Sequence, residues 1–195
     1  MPYHYHKHHA YNVGDHTVKV IQGVPCDRTL RWAALLHDVA KPATHTNDGA
    51  WDHFYGHNDV GVDMAENVLK RLKFDTATIE RVKRLVYWHD YGMGELPNIS
   101  SFRKSFNKMG PDLFDDYTCI KYADILAQSD YHREEKLKNL QVIKGYYREV
   151  VDKQQCVSIK DLAISGKDLI ALGIKPGPEM GRILNALLDK VLDEP

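Results

Sequence analysis

The chain has 195 residues, 26 Lys plus Arg against 27 Asp plus Glu, and a formal net charge of -1. That length suits one domain, or one domain with a small appendage, and the 43% apolar and 27% charged fractions are those of a soluble globular protein with a real core rather than of a disordered chain. So balanced a charge argues against general nucleic-acid coating, leaving only a local basic patch open, and no apolar run approaches the roughly 18 residues that span a bilayer. The opening residues, Met1-Pro2-Tyr3-His4-Tyr5, lack the apolar stretch of a signal peptide. Cys26, Cys119 and Cys156 are scattered and form no CxxC, so we expect a reducing cytoplasm and neither a disulfide framework nor a cysteine zinc site. One count stands out: 11 histidines.

The first of these lie in an arm, His4, His6, His8 and His9, which reads either as a weak metal-binding tract or as a polar tail. From residue 12 the apolar residues repeat at helical spacing. Val13, Val20 and Ile21 mark a first helix. Leu30, Ala33, Ala34 and Leu36 mark a second, apolar nearly all round and so expected to be central and buried. Residues 41–56, rich in Pro, Thr, Asn, Asp and Gly, read as a loop. Val60, Met64, Val68 and Leu72 mark a third helix. A fourth, capped by Asp75 or Thr76, carries the stripe Ile79, Val82, Leu85 and Val86. After Gly92, Gly94 and Pro97 come a short basic helix at 99–109, a longer one at about 112–130, and a charged, exposed one at 132–153. Near the end, Ser165-Gly166-Lys167-Asp168 is a capping box, Gly173 can close its helix, and Pro178 opens a final helix that runs to about Leu192. No useful β-alternation and no repeat interrupts this pattern. The expected class is all-α, with 1–153 as the main helical domain and 154–195 as a C-terminal hairpin packed on it.

The histidines and aspartates occupy informative places. His16 lies with Val13 and Val20, His37 follows Ala33 by one turn with Asp38 beside it, and His57 leads into Val60, Gly61 and Met64. His89 continues the stripe of the fourth helix, and Asp124 falls one turn after Ile120. Each therefore sits on, or at the end of, the apolar face of a different helix. A lone inward histidine is ordinarily a core residue bonded to a carbonyl. A buried carboxylate without a partner costs several kcal/mol, and six such groups converging need a common partner. A divalent metal is that partner, and four His with two Asp suit two ions better than one tetrahedral ion. Consecutive helical residues point about 100° apart, so His37-Asp38 suits a metal at a helix end or a carboxylate bridging two metals, with Asp38 as the bridge. Lys41, one turn after His37, either neutralises a phosphate oxygen or is a solvated helix-end lysine. His45 and His53 read as surface loop histidines, with leaving-group protonation the alternative. Asp59 and Asp90 read as helix-terminus residues.

A histidine, then LLHDVAKP, then a distant aspartate resembles the HD-domain metal-dependent phosphohydrolase superfamily. His16, His37, Asp38 and Asp124 match its minimal set, and His57 in FYGHNDVG and His89 in VYWHDYG match the two histidines added in two-metal members. The strings RWAALLHDVAKP, HFYGHNDVGVDMAENVLKRL, ADILAQSD and ISGKDLIALGIKPGPEMGRILNALLDKVLDEP are similar to the C-terminal half of bacterial CCA-adding tRNA nucleotidyltransferases. Nothing in the chain resembles the nucleotidyltransferase head of that family, so we do not expect it to polymerise nucleotides. The resemblance implies a phosphohydrolase acting on nucleotides or cyclic nucleotides through metal-activated water; Asp38 and Lys41 are the candidate catalytic groups, and Mn, Fe, Co, Ni or Mg the candidate ions, mixed His and carboxylate ligation favouring the transition metals. It leaves two rival readings: a non-catalytic RNA-binding or partner module, or a subunit serving a separate nucleotidyltransferase chain. The tail SGKDLIALGIKPGPEMGR is not a P-loop, lacking GxxxxGK[ST]. Arg81, Lys83 and Arg84, or Arg103, Lys104 and Lys108, form either a modest RNA-facing patch or solvated faces. Trp32 and Trp88 read as core rather than as base-stacking platforms. Substrate, ion count and oligomeric state are not set by these patterns.

Overall fold

The computed structural model describes residues 12–49, 51–153, 155 and 158–193, so the histidine-rich arm and Cys156 lie outside the described residues. In chain order the helices are α1 (Val13–Gly23), α2 (Arg28–Leu36), the single turn α3 (Lys41–Thr44), α4 (His57–Arg71), α5 (Thr76–Trp88) and α6 (Ile99–Met109). A 3-10 turn at Pro111–Leu113 leads into α7 (Phe114–Ala127), followed by α8 (Arg133–Asp152), α9 (Gly166–Ala171) and α10 (Pro178–Asp193). The all-α class holds.

Local chemistry sets the boundaries. Asn12, Asp27, Asp75 and Asn98 each accept a hydrogen bond from the backbone N–H three residues on, which starts α1, α2, α5 and α6. Ser165 and Asp168 close the expected capping box of α9. Gly173, at φ +86, takes the left-handed turn just past that helix. The stretch 41–56 is not all loop. Besides α3 it contains a two-stranded antiparallel ladder, β1 (Thr46–Asn47) with β2 (Asp52–His53), pairing Thr46 with His53. Two residues per strand are too few for a readable period of two.

The chain groups into two compact units, one of residues up to Gly94 with Asp112–Gln141, the other of Glu95–Pro111 with Val142 onward. The composition boundary at 153/154 falls inside the second. In the first unit α1 packs on α2 and α7, α2 on α5 and α7, and α4 on α3 and α5. Val20, Ala33, Ala34, Ala65, Leu69, Val82, Val86 and Ile120 form its core. The second helix is buried on one face only, since Leu35 remains 42% exposed. In the second unit α10 packs on α6 and α9. Phe102 and Phe106 stack at 5.5 Å, with the Tyr147 ring edge-on to Phe106. Arg103, expected in a basic face, is buried there and donates to Gln155 Oε1 at 2.9 Å. Helix α8 is likewise less exposed than its charges suggest, because Lys136, Leu140, Ile143 and Val150, at helical spacing, are all buried.

The end of α1 lies close against α7 at Gly23. A Cβ added at Gly23 would lie 2.9 Å from Ala123 Cβ. Gly23→Ala is therefore expected to cost roughly 1 kcal/mol or more, the overpacking cost of about 1–3 kcal/mol being partly offset by alanine's better helix propensity. A lower urea midpoint at unchanged m-value is the expected readout; a midpoint equal to or above the parent's contradicts the close approach.

Candidate metal centre

Five helices of the first unit deliver the six expected side chains to one place. His16 comes from the middle of α1 and Asp124 from α7. His37 and His89 are the C-cap residues just past α2 and α5, and His57 opens α4 after Gly56, whose φ of +72 turns the chain into the helix. All six are buried: His37 and His89 are 1% exposed, Asp38 2%, Asp124 3%, His16 5% and His57 9%.

The imidazoles share one hydrogen-bonding pattern. His37 Nδ1 donates to Ala34 O at 2.7 Å, His57 Nδ1 to Phe54 O at 2.9 Å, His89 Nδ1 to Val86 O at 2.6 Å and His16 Nδ1 to Ala127 O at 3.3 Å. A carbonyl only accepts, so Nδ1 carries the hydrogen on every ring, and in the neutral imidazole Nε2 is left as a bare lone pair. For His37 and His89 the accepting carbonyls belong to the last helical turn, which lacks intrahelical donors. The four Nε2 atoms then meet in pairs, His16 to His37 at 3.3 Å and His57 to His89 at 3.4 Å. Two lone pairs at that distance repel unless a cation, either a proton or a metal ion, lies among them.

Asp38 stands between the pairs. Its Oδ2 is 3.2 Å from His37 Nε2 and 3.7 Å from His16 Nε2, and its Oδ1 is 3.5 Å from His89 Nε2 and 3.8 Å from His57 Nε2. Asp38 Oδ1 is buried and makes no hydrogen bond. Asp124 Oδ1 approaches His16 Nε2 to 3.0 Å. The result is two groups that can hold a metal ion, His16/His37/Asp38 and Asp38/His57/His89, each with its ligand atoms within 4.8 Å of one another. An orphaned buried carboxylate oxygen facing two bare imidazole nitrogens is a donor set that fits a divalent ion.

The electrostatics agree. Burial disfavours charge on His37, Asp38 and Asp124, yet the mutual fields prevail. The Asp38 and Asp124 carboxylates lift His37 to about 9. His37 and Lys41 hold Asp38 well below the usual carboxylate range, and His16 holds Asp124 at about 2. Without metal, charge on Asp38 is offset by a proton on His37 and by the Lys41 ammonium.

Lys41 is not a solvated helix-end residue. Its Nζ donates to Asp38 Oδ2 at 2.7 Å, and it lines a cavity of about 310 Å³ together with Asp38, His57, Asp90, Asp124 and Gln128. His53 is on that cavity's wall and bonds Asp48 at 2.8 Å, whereas His45 bonds Asp52. Sequence reasoning set Asp90 aside, but its Oδ2 is 3.0 Å from His57 Nε2 and its Oδ1 is 3.4 Å from His89 Nε2. The repeat of the His-Asp step, 37/38 and 89/90, was the available signal. Also missed were the supports on α7 and α8: Gln128 Nε2 donates to Asp124 Oδ2 at 3.0 Å, Lys136 Nζ donates to Gln128 Oε1 at 2.7 Å, and buried Lys121 donates to His89 O at 3.0 Å. Lys121, Asp124 and Gln128 share one helical face, which the spacing could have revealed. The basic run of α5 is neutralised by neighbours: Arg81 by Asp112 and Asp116, Lys83 by Glu66 and Glu80, and Arg84 by Asp112. Among the described residues no helix is long and apolar enough to cross a membrane.

Comparisons with known proteins fit this architecture. Residues 43–195 match the family model for tRNA nucleotidyltransferase domain 2. Over 189 residues the chain is 30% identical to the A-adding tRNA nucleotidyltransferase of Deinococcus radiodurans, covering 93% of this chain and 43% of that protein. Over 162 residues it is 36% identical to the CC-adding tRNA nucleotidyltransferase of Thermus thermophilus, covering 82% of this chain and 35% of that protein. The chain thus spans less than half the length of these relatives. With most of its length under the family model and a 30% identical relative covering nearly all of it, this chain belongs to the tRNA nucleotidyltransferase domain 2 family.

Proposed function

We propose that this chain is a divalent-metal-dependent phosphohydrolase of the HD type, acting on nucleotide or cyclic-nucleotide phosphoesters. One observation carries the reading: four Nε2 atoms, each with its Nδ1 committed to a backbone carbonyl, face the two oxygens of a single buried carboxylate. In this reading His16, His37, Asp38 and Asp124 hold one ion, and Asp38, His57 and His89, with Asp90 beside them, hold a second. Mixed imidazole and carboxylate ligation favours Mn, Fe, Co or Ni over Mg. Such ions, when bound, acidify water and offset charge on a phosphoryl group.

The chain's own residues supply the rest. The carbonyl bonds to Nδ1 fix each ring's tautomer and orientation before substrate arrives. Gln128 and Lys136 hold the Asp124 carboxylate so that Oδ1 faces His16. Lys41, already among carboxylates on the cavity wall, is placed to meet a phosphoryl oxygen. His53, steadied by Asp48, faces the same cavity and can give a proton to the leaving oxygen. A cytoplasmic setting, read from the scattered cysteines, belongs to the same proposal.

The test is hydrolysis of a nucleotide and 2′,3′-cyclic nucleotide panel by the Mn-loaded chain, with and without chelator. Metal-dependent turnover is expected. A second reading draws on the relatives, whose names make them enzymes that add A or CC to tRNA: an RNA-binding or partner module without hydrolysis. A metal-loaded chain that turns over nothing on the panel and binds tRNA with a steep salt dependence favours that module and removes the hydrolase.

A further inference from the structure

A second cavity in the same unit, about 460 Å³, carries an aromatic wall that none of the steps above uses. It shares Phe54, Tyr55, His57 and Asp90 with the cavity that holds Lys41, so the two cavities adjoin. Tyr55 leaves 78% of its surface in water, yet its ring is held in place, stacked on His53 with centroids 5.0 Å apart and planes 11° from parallel. Trp88 lines the same cleft, half-buried at the end of α5 rather than in the core, with Tyr87 and Tyr91 edge-on at 5.1 and 5.7 Å. Asn58 Nδ2 donates to Tyr87 O at 3.1 Å, tying the first turn of α4 to the end of α5 beneath the cleft's lining.

The charges on the two cavities differ. The smaller cavity sets Lys41 and the candidate metal ligands Asp38, His57 and Asp124 beside Asp52 and Asp90, so in the hydrolase reading its cations face a phosphate, whereas the aromatic cleft is lined by the carboxylates of Asp59 and Asp90 and by no lysine or arginine among its described residues. A phosphate is therefore disfavoured in the cleft. A planar neutral ring bearing N–H donors is favoured, since aromatic faces stack it and carboxylates accept its hydrogens. We propose that the cleft walled by Tyr55 and Trp88 holds the nucleobase of a nucleotide whose phosphate lies in the adjoining Lys41 cavity. The phosphate end of this assignment rests on the hydrolase reading; the base end stands on the cleft alone.

Calorimetric titration of the whole Mn-loaded chain with AMP, adenosine and ribose 5-phosphate tests it, alongside turnover of AMP and ribose 5-phosphate. Base stacking on an aromatic side chain predicts that AMP binds about tenfold more tightly than ribose 5-phosphate, and that Tyr55→Ala collapses that ratio toward one. Tyr55→Phe, which keeps the ring, is expected to retain the ratio, and adenosine is expected to bind without any phosphate. Equal affinity for AMP and ribose 5-phosphate, or a preference untouched by both Tyr55→Ala and Trp88→Leu, overturns the assignment. Turnover with the same KM for AMP and ribose 5-phosphate leaves the hydrolase standing and removes the nucleobase cleft. Adenosine binding lost in Tyr55→Ala, in a protein that turns over nothing, keeps the cleft and removes the hydrolase.

Discussion

Replacing Asp38 by asparagine is expected to abolish binding of both metal ions at once, whereas His89→Gln abolishes one. Among the described residues Asp38 alone offers an oxygen to each imidazole pair, Oδ2 toward His37 and His16 and Oδ1 toward His89 and His57. Asparagine keeps the volume but loses the charge, and its amide hydrogens would face one pair of Nε2 atoms. Each ion's dissociation constant should rise by more than roughly 100-fold, beyond the 10–100-fold that outer-shell changes cost. His89→Gln removes a nitrogen from one group and leaves His16, His37, Asp38 and Asp124 intact. Metal content by native mass spectrometry is the readout, with circular dichroism to verify folding. If Asp38→Asn keeps its full metal content, the bridging role is wrong. Loss of both ions in His89→Gln would mean a single shared site rather than two.

Metal loading is also expected to raise the melting temperature by roughly 5–16 °C. An ion that binds only the folded chain contributes about 3–4 kcal/mol at 100–1,000 times its dissociation constant, and about 2–4 °C accompanies each kcal/mol for a chain near this length. The sign follows from the paired lone pairs: without a divalent ion, buried Nε2 atoms face one another at 3.3 and 3.4 Å beside Asp38. Scanning calorimetry with Mn and then with excess chelator measures the shift. A melting temperature unmoved by millimolar metal contradicts the centre.

Most of the fold, and the convergence of the six residues expected as ligands, were legible in the sequence, for one physical reason. His16, His37, His57, His89 and Asp124 interrupt apolar stripes where a polar side chain has no cause to be, and Asp38 adjoins one of them. Periodicity finds such residues because the faces of α1, α2, α4, α5 and α7 must be buried. Where a second rule competed, the sequence misled. Asp90 follows a stripe residue and so looked like a helix end, yet the turn after Trp88 brings it back to His57. The apolar stripe of α8 lies among so many charges that the helix reads as exposed, although Leu140 and Ile143 are buried. Arg103 reads as part of a basic face because charge is counted along the chain, whereas its guanidinium is buried against Gln155 and the Leu192 carbonyl. Trp88 reads as core because it adjoins His89, but it is the residue on which α5 ends, and a helix end opens onto a cleft.

Anomalous diffraction from crystals of the Mn-loaded chain addresses the centre most directly. Two peaks are expected about 3.5–4 Å apart, the usual spacing of two-metal sites, one beside His16, His37 and Asp124, the other beside His57 and His89, with Asp38 between them. No peak within reach of the four Nε2 atoms would contradict the metal centre, and with it the hydrolase.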